Sequence, residues 1–177
     1  GSSELISLLI ETRAPKRTLI LGPTYSEYSR ELSFSGSTQD YYQLQEAEDF
    51  ELDVEDLCRT LLNGYDFLIL CNPNNPTSSA ILKDEMRALL SFCANRDIFV
   101  MIDETYVEFA PSVQEVTAVP YTKEFSNLMV LRGVSKFYAA PGMRFGYGIT
   151  GNKEFLSQMK EKQIPWSLNS LGAYAGE

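Results

Sequence analysis

The sequence contains no histidine among its 177 residues. That absence removes serine–histidine triads, cysteine–histidine pairs, HExxH zinc sites and every imidazole general base. If the chain supports catalysis, some other side chain moves the proton. Cysteine is scarce too: Cys58, Cys71 and Cys93 are odd in number, far apart and not in a CxxC pair. They read as small core hydrophobes in a reducing, cytoplasmic compartment rather than as a disulfide or zinc framework. Positive charge is in short supply, with 15 Lys and Arg against 24 Asp and Glu, so 15 − 24 gives −9 at neutral pH. A surface that acidic repels nucleic acid and anionic membrane, and neither is expected as a partner. No apolar run approaches the roughly 18–20 residues of a membrane helix. Internal repeats, low-complexity tracts and linker-like composition are absent as well.

What is present is 44% apolar residues. At this length a single domain removes roughly 70% of its unfolded surface from water on folding. Short apolar runs recur at 18–22 (TLILG), 67–72 (FLILCN), 98–104 (IFVMIDE), 127–134 (NLMVLRGV) and 145–150 (FGYGIT). Such continuous runs are what strands covered on both faces look like. Between them, 53–64 has an acidic start and a glycine stop, and 82–96 carries apolar residues at helical spacing; both predict helices. The pattern predicts a three-layer α/β sandwich with a mainly parallel sheet. Segment 110–126 reads as a surface loop with a short helix. Residues 1–10 read as a helix start and the last ten as a helix under way, as in a piece of a longer protein.

In such a sheet, ligands bind beyond the carboxyl ends of the strands. Those ends read GPTYSEY, NPNNPTS, DETY and SK, and the last opens SKFYAAPGMRFGYG, where Arg144 follows Lys136 by eight residues. Taken singly, each has an ordinary reading as a turn, a cap or a surface lysine. Taken together they suit the chemistry of pyridoxal 5'-phosphate. A lysine amine forms a Schiff base with an aldehyde once it can be deprotonated, which calls for burial and a cationic neighbour. The cofactor acts as an electron sink when its pyridine nitrogen stays protonated, which calls for a carboxylate. Lys136 and Asp103 are of those types. Asn75 and Tyr106 are suitable donors for the ring hydroxyl, and Tyr25 can stack on the ring face. Arg144, Ser135 and the opening Gly-Ser-Ser-Glu suit a phosphate.

The motifs NPNNPT, DETYVEF and SKFYAAPGMRFGYG, in this order, resemble the class I/II aminotransferase superfamily of fold type I. Within it they are similar to the branch of histidinol-phosphate aminotransferases and L-threonine O-3-phosphate decarboxylases, the enzymes of cobalamin biosynthesis. KFYAAPGMRFGY and QIPWSLNSLGAYAGE look closest to the decarboxylases. The resemblance implies Lys136 as the Schiff-base lysine, Asp103 as the pyridine-nitrogen partner and Tyr25 as the stacking ring. It gives Asn75 and Tyr106 to the ring hydroxyl, Ser135 and Arg144 to the phosphate, and the backbone at Ser2 and Ser3 to the phosphate loop. Two positions depart from the pattern: Gly133 stands where many relatives carry Ser or Thr, and Ser78 where glycine is usual. The small domain with its substrate-carboxylate arginine has no counterpart here, so residues 1–177 read as the cofactor-binding large domain. The full-length protein is expected to be a homodimer acting on a small amino-acid-type substrate.

Other readings remain at this level. One is a cofactor-binding sensor domain of a regulator, although no basic helix-turn-helix is present. Another is a nucleotide-binding α/β protein, against which stands the lack of a GxGxxG or P-loop after any strand. Within the enzyme class, Trp166 is expected to line the space where a phosphorylated side chain enters, which would favour the smaller threonine phosphate.

Overall fold

The computed structural model describes residues 1–176. Along the chain run α1 (Ser2–Arg13), β1 (Arg17–Gly22), α2 (Glu27–Ser35), β2 (Thr38–Gln43), α3 (Val54–Leu61), β3 (Phe67–Cys71) and α4 (Lys83–Ala94). They are followed by β4 (Phe99–Asp103), the short α5 (Val113–Val116), β5 (Leu128–Gly133), β6 (Gly146–Ile149), α6 (Lys153–Lys162) and α7 (Ser170–Gly176). One six-stranded sheet has the order β2-β1-β3-β4-β5-β6. All neighbours are parallel except β6, which runs antiparallel to β5.

The two-residue period of a strand decides what each apolar run covers. In β3, Leu68 and Leu70 face one core with Leu57 and Leu61 of α3 and Met86, Leu89, Leu90 and Cys93 of α4. Phe67, Ile69 and Cys71 face the other, with Ile6, Leu9 and Ile10 of α1, Tyr28 and Leu32 of α2, and Phe155 and Met159 of α6. Every residue of β3 and β4 is buried. The expected three-layer α/β sandwich is what the chain forms. The helices expected at 53–64 and 82–96 form as α3 and α4. Asp53 caps α3 by accepting from the Asp56 N–H at 2.9 Å, and Asn152 caps α6 by accepting from Phe155 N–H at 2.9 Å. Segment 110–126 is a short helix between 3-10 turns.

Three elements escaped the pattern: β2, α2 and α6. The strand β2, Thr-Gln-Asp-Tyr-Tyr-Gln, has no apolar run because it is an edge strand with neither face fully covered. The helix α2 buries only Tyr28 and Leu32, one turn apart. The run 145–150 is also corrected. It was expected to be covered on both faces, but β6 is an edge strand of which no residue is buried.

Two features place the site. The sheet switches direction between β1 and β3, since the chain builds outward to β2 on one side and to β4, β5 and β6 on the other; ligands bind at such a crevice. In register, Cys71 pairs with Asp103 and Asp103 with Leu131, so β3 and β4 finish level and β5 runs two residues further, to Gly133.

Candidate active site

Parity sends Cys71, Asp103 and Gly133 to the α1/α2 face, because each continues the odd-numbered series of its strand: 67 and 69, 99 and 101, 129 and 131. At the crevice the strand ends, the α1 N-terminus and the start of α2 enclose a cavity of about 230 Å³. All nine residues singled out from the sequence line it: Ser2, Ser3, Tyr25, Asn75, Asp103, Tyr106, Ser135, Lys136 and Arg144. Tyr28, Cys71, Thr105 and Phe145 line it too and were not foreseen.

Asp103 is 4% exposed, and a carboxylate that deep needs donors. It has three. Oδ1 accepts from the Thr105 N–H at 2.9 Å and the Thr105 hydroxyl at 2.6 Å, and Oδ2 accepts from the Tyr28 hydroxyl at 2.8 Å. A carboxylate offers about four acceptor sites, so one remains, on Oδ2. Burial pushes the Asp103 carboxyl above its ordinary value of 3.8, and the bonds from Thr105 and Tyr28 pull the other way without cancelling it. Burial and then the Asp103 charge hold the Tyr28 hydroxyl well above its ordinary range, so it stays a donor. The same causes push the Cys71 thiol up to about 12, which keeps it a neutral wall.

The opposite end of the cavity is built for an anion. The first amides of α1 have no partner within the helix. Gly1, Ser2 and Ser3 line the cavity there, with Ser135 after β5. The Arg144 guanidinium lies beside Gly1, where an added Cβ would come 3.1 Å from Nη2. The helix end reaches this place because β6 opens on glycine. A Cβ on Gly146 would fall 2.7 Å from the Ser2 nitrogen and 3.1 Å from both the Gly1 carbonyl carbon and the Arg132 oxygen, all of them backbone. Ser2 also compensates for the missing hydroxyl at Gly133, because its Oγ lies 3.4 Å from where that Cβ would be. Ser78, the other departure, sits at φ 61°, in the left-handed region that explains glycine's usual place there.

Between the two ends, Tyr25 stands edge-on to Tyr28, with centroids 5.5 Å apart. Two expectations are corrected. Lys136 lies on the cavity wall but is exposed, so this chain alone does not supply the burial expected around its amine. Trp166 is 91% exposed and is not among the cavity-lining residues, so it does not shape the space it was expected to fill. A signal for Tyr28 existed in GPTYSEY, where it follows Tyr25 by one helical turn. Thr105 carried none beyond its place next to Asp103 but one. Among the described residues, no cluster of three or more His, Cys, Asp or Glu could hold a metal ion, and no helix is long and apolar enough to cross a membrane.

A mainly parallel sheet with this strand-end crevice defines the large domain of fold type I pyridoxal phosphate enzymes. The chain belongs to the class I and II aminotransferase family, whose pattern matches residues 1–176 and whose members depend on that cofactor. The threonine-phosphate decarboxylase of Salmonella typhimurium is 34% identical over 177 residues, 100% of this chain and 48% of that protein. A histidinol-phosphate aminotransferase of Clostridium kluyveri is 34% identical over 180 residues, again 100% of this chain and 48% of that protein. The crystal structure of the histidinol-phosphate aminotransferase from Clostridium acetobutylicum superposes with a TM-score of 0.88 at 35% identity, covering 99% of this chain and 50% of that one. The chain thus spans about half the length of the curated relatives it matches.

Proposed function

We propose that the chain is the pyridoxal-phosphate-binding domain of an enzyme acting on a phosphorylated amino-acid-type substrate, with Lys136 as the residue that holds the cofactor. The observation that carries this reading is the buried Asp103, with one acceptor left over, in a cavity lined by all nine motif residues. A single free carboxylate acceptor suits one protonated ring nitrogen. The cradle at the α1 N-terminus, which a Cβ on Gly146 would close, suits a phosphate. When bound, the cofactor supplies an electron sink for the bond broken at the substrate Cα.

The chain's own residues do the rest. Asp103 would accept from the ring nitrogen, Asn75 and Tyr106 would donate to the ring hydroxyl, and Tyr25 would cover one ring face. Ser135, Arg144 and the amides at Ser2 and Ser3 would hold the phosphate. The Lys136 amine would carry the proton at the substrate Cα, a role no histidine of this chain can take. Water is excluded around the exposed Lys136 by the remainder of the full-length protein, a homodimer in this reading.

Decarboxylation of threonine phosphate is the first reading of the reaction. Similarity to the Salmonella decarboxylase and the KFYAAPG and QIPWSLNSLGAYAGE motifs support it. Transamination of histidinol phosphate is the second, favoured by an equal identity to the Clostridium kluyveri aminotransferase. Full-length protein is expected to absorb in the visible when loaded, to lose that band on borohydride treatment, and to carry the label on the Lys136 peptide. A label on Lys123 or Lys153 would overturn the assignment. The loaded enzyme is expected to release carbon dioxide from threonine phosphate without 2-oxoglutarate. Transamination of histidinol phosphate with no gas from threonine phosphate would select the second reading, and no turnover of either would point to another class I/II aminotransferase substrate or to a sensor.

A further inference from the structure

The hydrogen bonds of Asp103 are unevenly shared. Oδ1 takes two, both from Thr105, and Oδ2 takes one, from Tyr28. We propose that Thr105 is a positioning residue: its hydroxyl saturates Oδ1, so that the only acceptor Asp103 turns to the cavity is on Oδ2. The inference rests on the reading of the cavity as a pyridoxal phosphate site.

Four observations carry it. The Thr105 hydroxyl is 2.6 Å from Oδ1, the shortest of the three bonds to this carboxylate. Thr105 is itself 7% exposed, so its hydroxyl must find a partner inside the fold. It lines the cavity, within reach of whatever Asp103 binds. A Cβ on Gly133 would stand 3.8 Å from Thr105 Oγ1, an ordinary van der Waals distance, so the hydroxyl is seated against the end of β5 without crowding.

Without the hydroxyl, Oδ1 regains an acceptor facing a buried space. The carboxylate then offers two sites to one ring proton, and burial is opposed by two hydrogen bonds instead of three. A ring nitrogen held by such a group is less firmly oriented, and the less stabilised carboxylate draws the shared proton onto itself.

Thr105→Val removes the hydroxyl at nearly constant volume, Thr105→Ala removes it without the extra methyl group, and Thr105→Ser keeps it. In a first arm, full-length protein is loaded with pyridoxal phosphate labelled with nitrogen-15 in the ring. The ring-nitrogen signal is followed against pH, together with the rate of cofactor loss. We expect wild type and Thr105→Ser to keep the protonated signal over the same range. Thr105→Val and Thr105→Ala should shift it toward the neutral-ring position across that range, as the proton moves onto Asp103, and release cofactor about tenfold faster. A second arm uses cofactor-free protein, where Asp103 faces Tyr28 from α2, Cys71 from β3, and Lys136 and Arg144 across the cavity. Its folded carboxyl keeps a proton above the ordinary 3.8, so its stabilising contribution falls as pH rises from about 4. The valine and alanine variants should steepen that fall, and the serine variant should not. Loading with identical ring signals and release rates in all four proteins would overturn the inference and leave the cofactor reading standing. Failure of wild type to load would overturn both, whatever the second arm reads.

Discussion

Asp103 and Glu104 are consecutive carboxylates at the end of one strand, and the pleat sends them to opposite faces of the sheet. Both are buried, at 4% and 0% exposure. Glu104 faces the loop after β4, where it accepts from four donors: Arg132 Nε at 3.0 Å and Nη2 at 2.8 Å on Oε2, the Ala118 N–H at 2.5 Å on Oε1, and the Thr117 hydroxyl, which completes Oε1 at 3.1 Å and also lies 2.9 Å from Oε2. Its four acceptor sites are filled. Burial by itself would lower the Arg132 guanidinium, but the Glu104 bonds and charge carry it above its ordinary value. Asp103 has three donors and a cavity in front of it. A buried carboxylate with every acceptor filled holds loops to strands; one with an acceptor to spare, facing a cavity, is a place for a ligand. Residue type, burial and strand position are shared, so the count of donors separates the two roles.

That contrast can be broken most sharply by exchange of each acid. Asp103→Asn is expected to cut turnover of the full-length enzyme by about three orders of magnitude or more, with the unfolding midpoint little changed, because the amide keeps the shape but not the charge. Near-normal turnover would make Asp103 a second Glu104. Glu104→Ala should do the reverse, costing about 3–5 kcal/mol of folding stability in denaturant titration because the part-buried Arg132 loses both hydrogen bonds to Glu104 and is left with Glu108, 3.7 Å away, as its acidic partner. The protein that remains folded should still load cofactor. Gly146→Ala tests the other end of the cavity. Backbone meets the new Cβ on three sides, so the α1 N-terminus must move, and cofactor retention is expected to fall by about tenfold or more while Asp103 stays in place. The smallest effect is on pH dependence. The raised Asp103 carboxyl contributes stability that is present below about 3.8 and is lost as pH rises through its folded value. Cofactor-free wild type should therefore lose stability relative to Asp103→Asn between about pH 4 and 7. Parallel curves would mean that the carboxyl is not buried in solution.

The candidate site was read from the chain more completely than the fold was. The strand-end motifs delivered Asp103, Lys136 and Arg144 because the chemistry of one cofactor demands those residue types, and the α/β order told which end of the strands to read. The sheet was incomplete in the sequence. A polar edge strand such as β2 leaves no apolar run, and its place beside β1 is fixed by pairing, with Arg17 reaching Asp40 at 2.8 Å. Tyr28 and Thr105 were missed for a related reason. The spacing of Tyr28 from Tyr25 and the place of Thr105 beside Asp103 show where these side chains lie, and their role is legible only once the carboxylate they serve is known. Lys136 and Trp166 erred in the other direction, because residue type suggested surroundings that this chain does not provide.

Composition and local order determined by themselves that this chain is an α/β sandwich that supplies no histidine of its own, with a lysine, a carboxylate and an arginine at neighbouring strand ends. Periodicity and turn residues act over a few positions, and a sequence displays such short-range preferences openly. Tertiary structure alone decided that Tyr28 meets Asp103 across 75 residues of chain, that Gly146 admits the α1 N-terminus, and which of two adjacent acids keeps a free acceptor. Those outcomes depend on which faces pack together and how many donors each buried oxygen finds, and packing brings such groups together without regard to their distance along the chain.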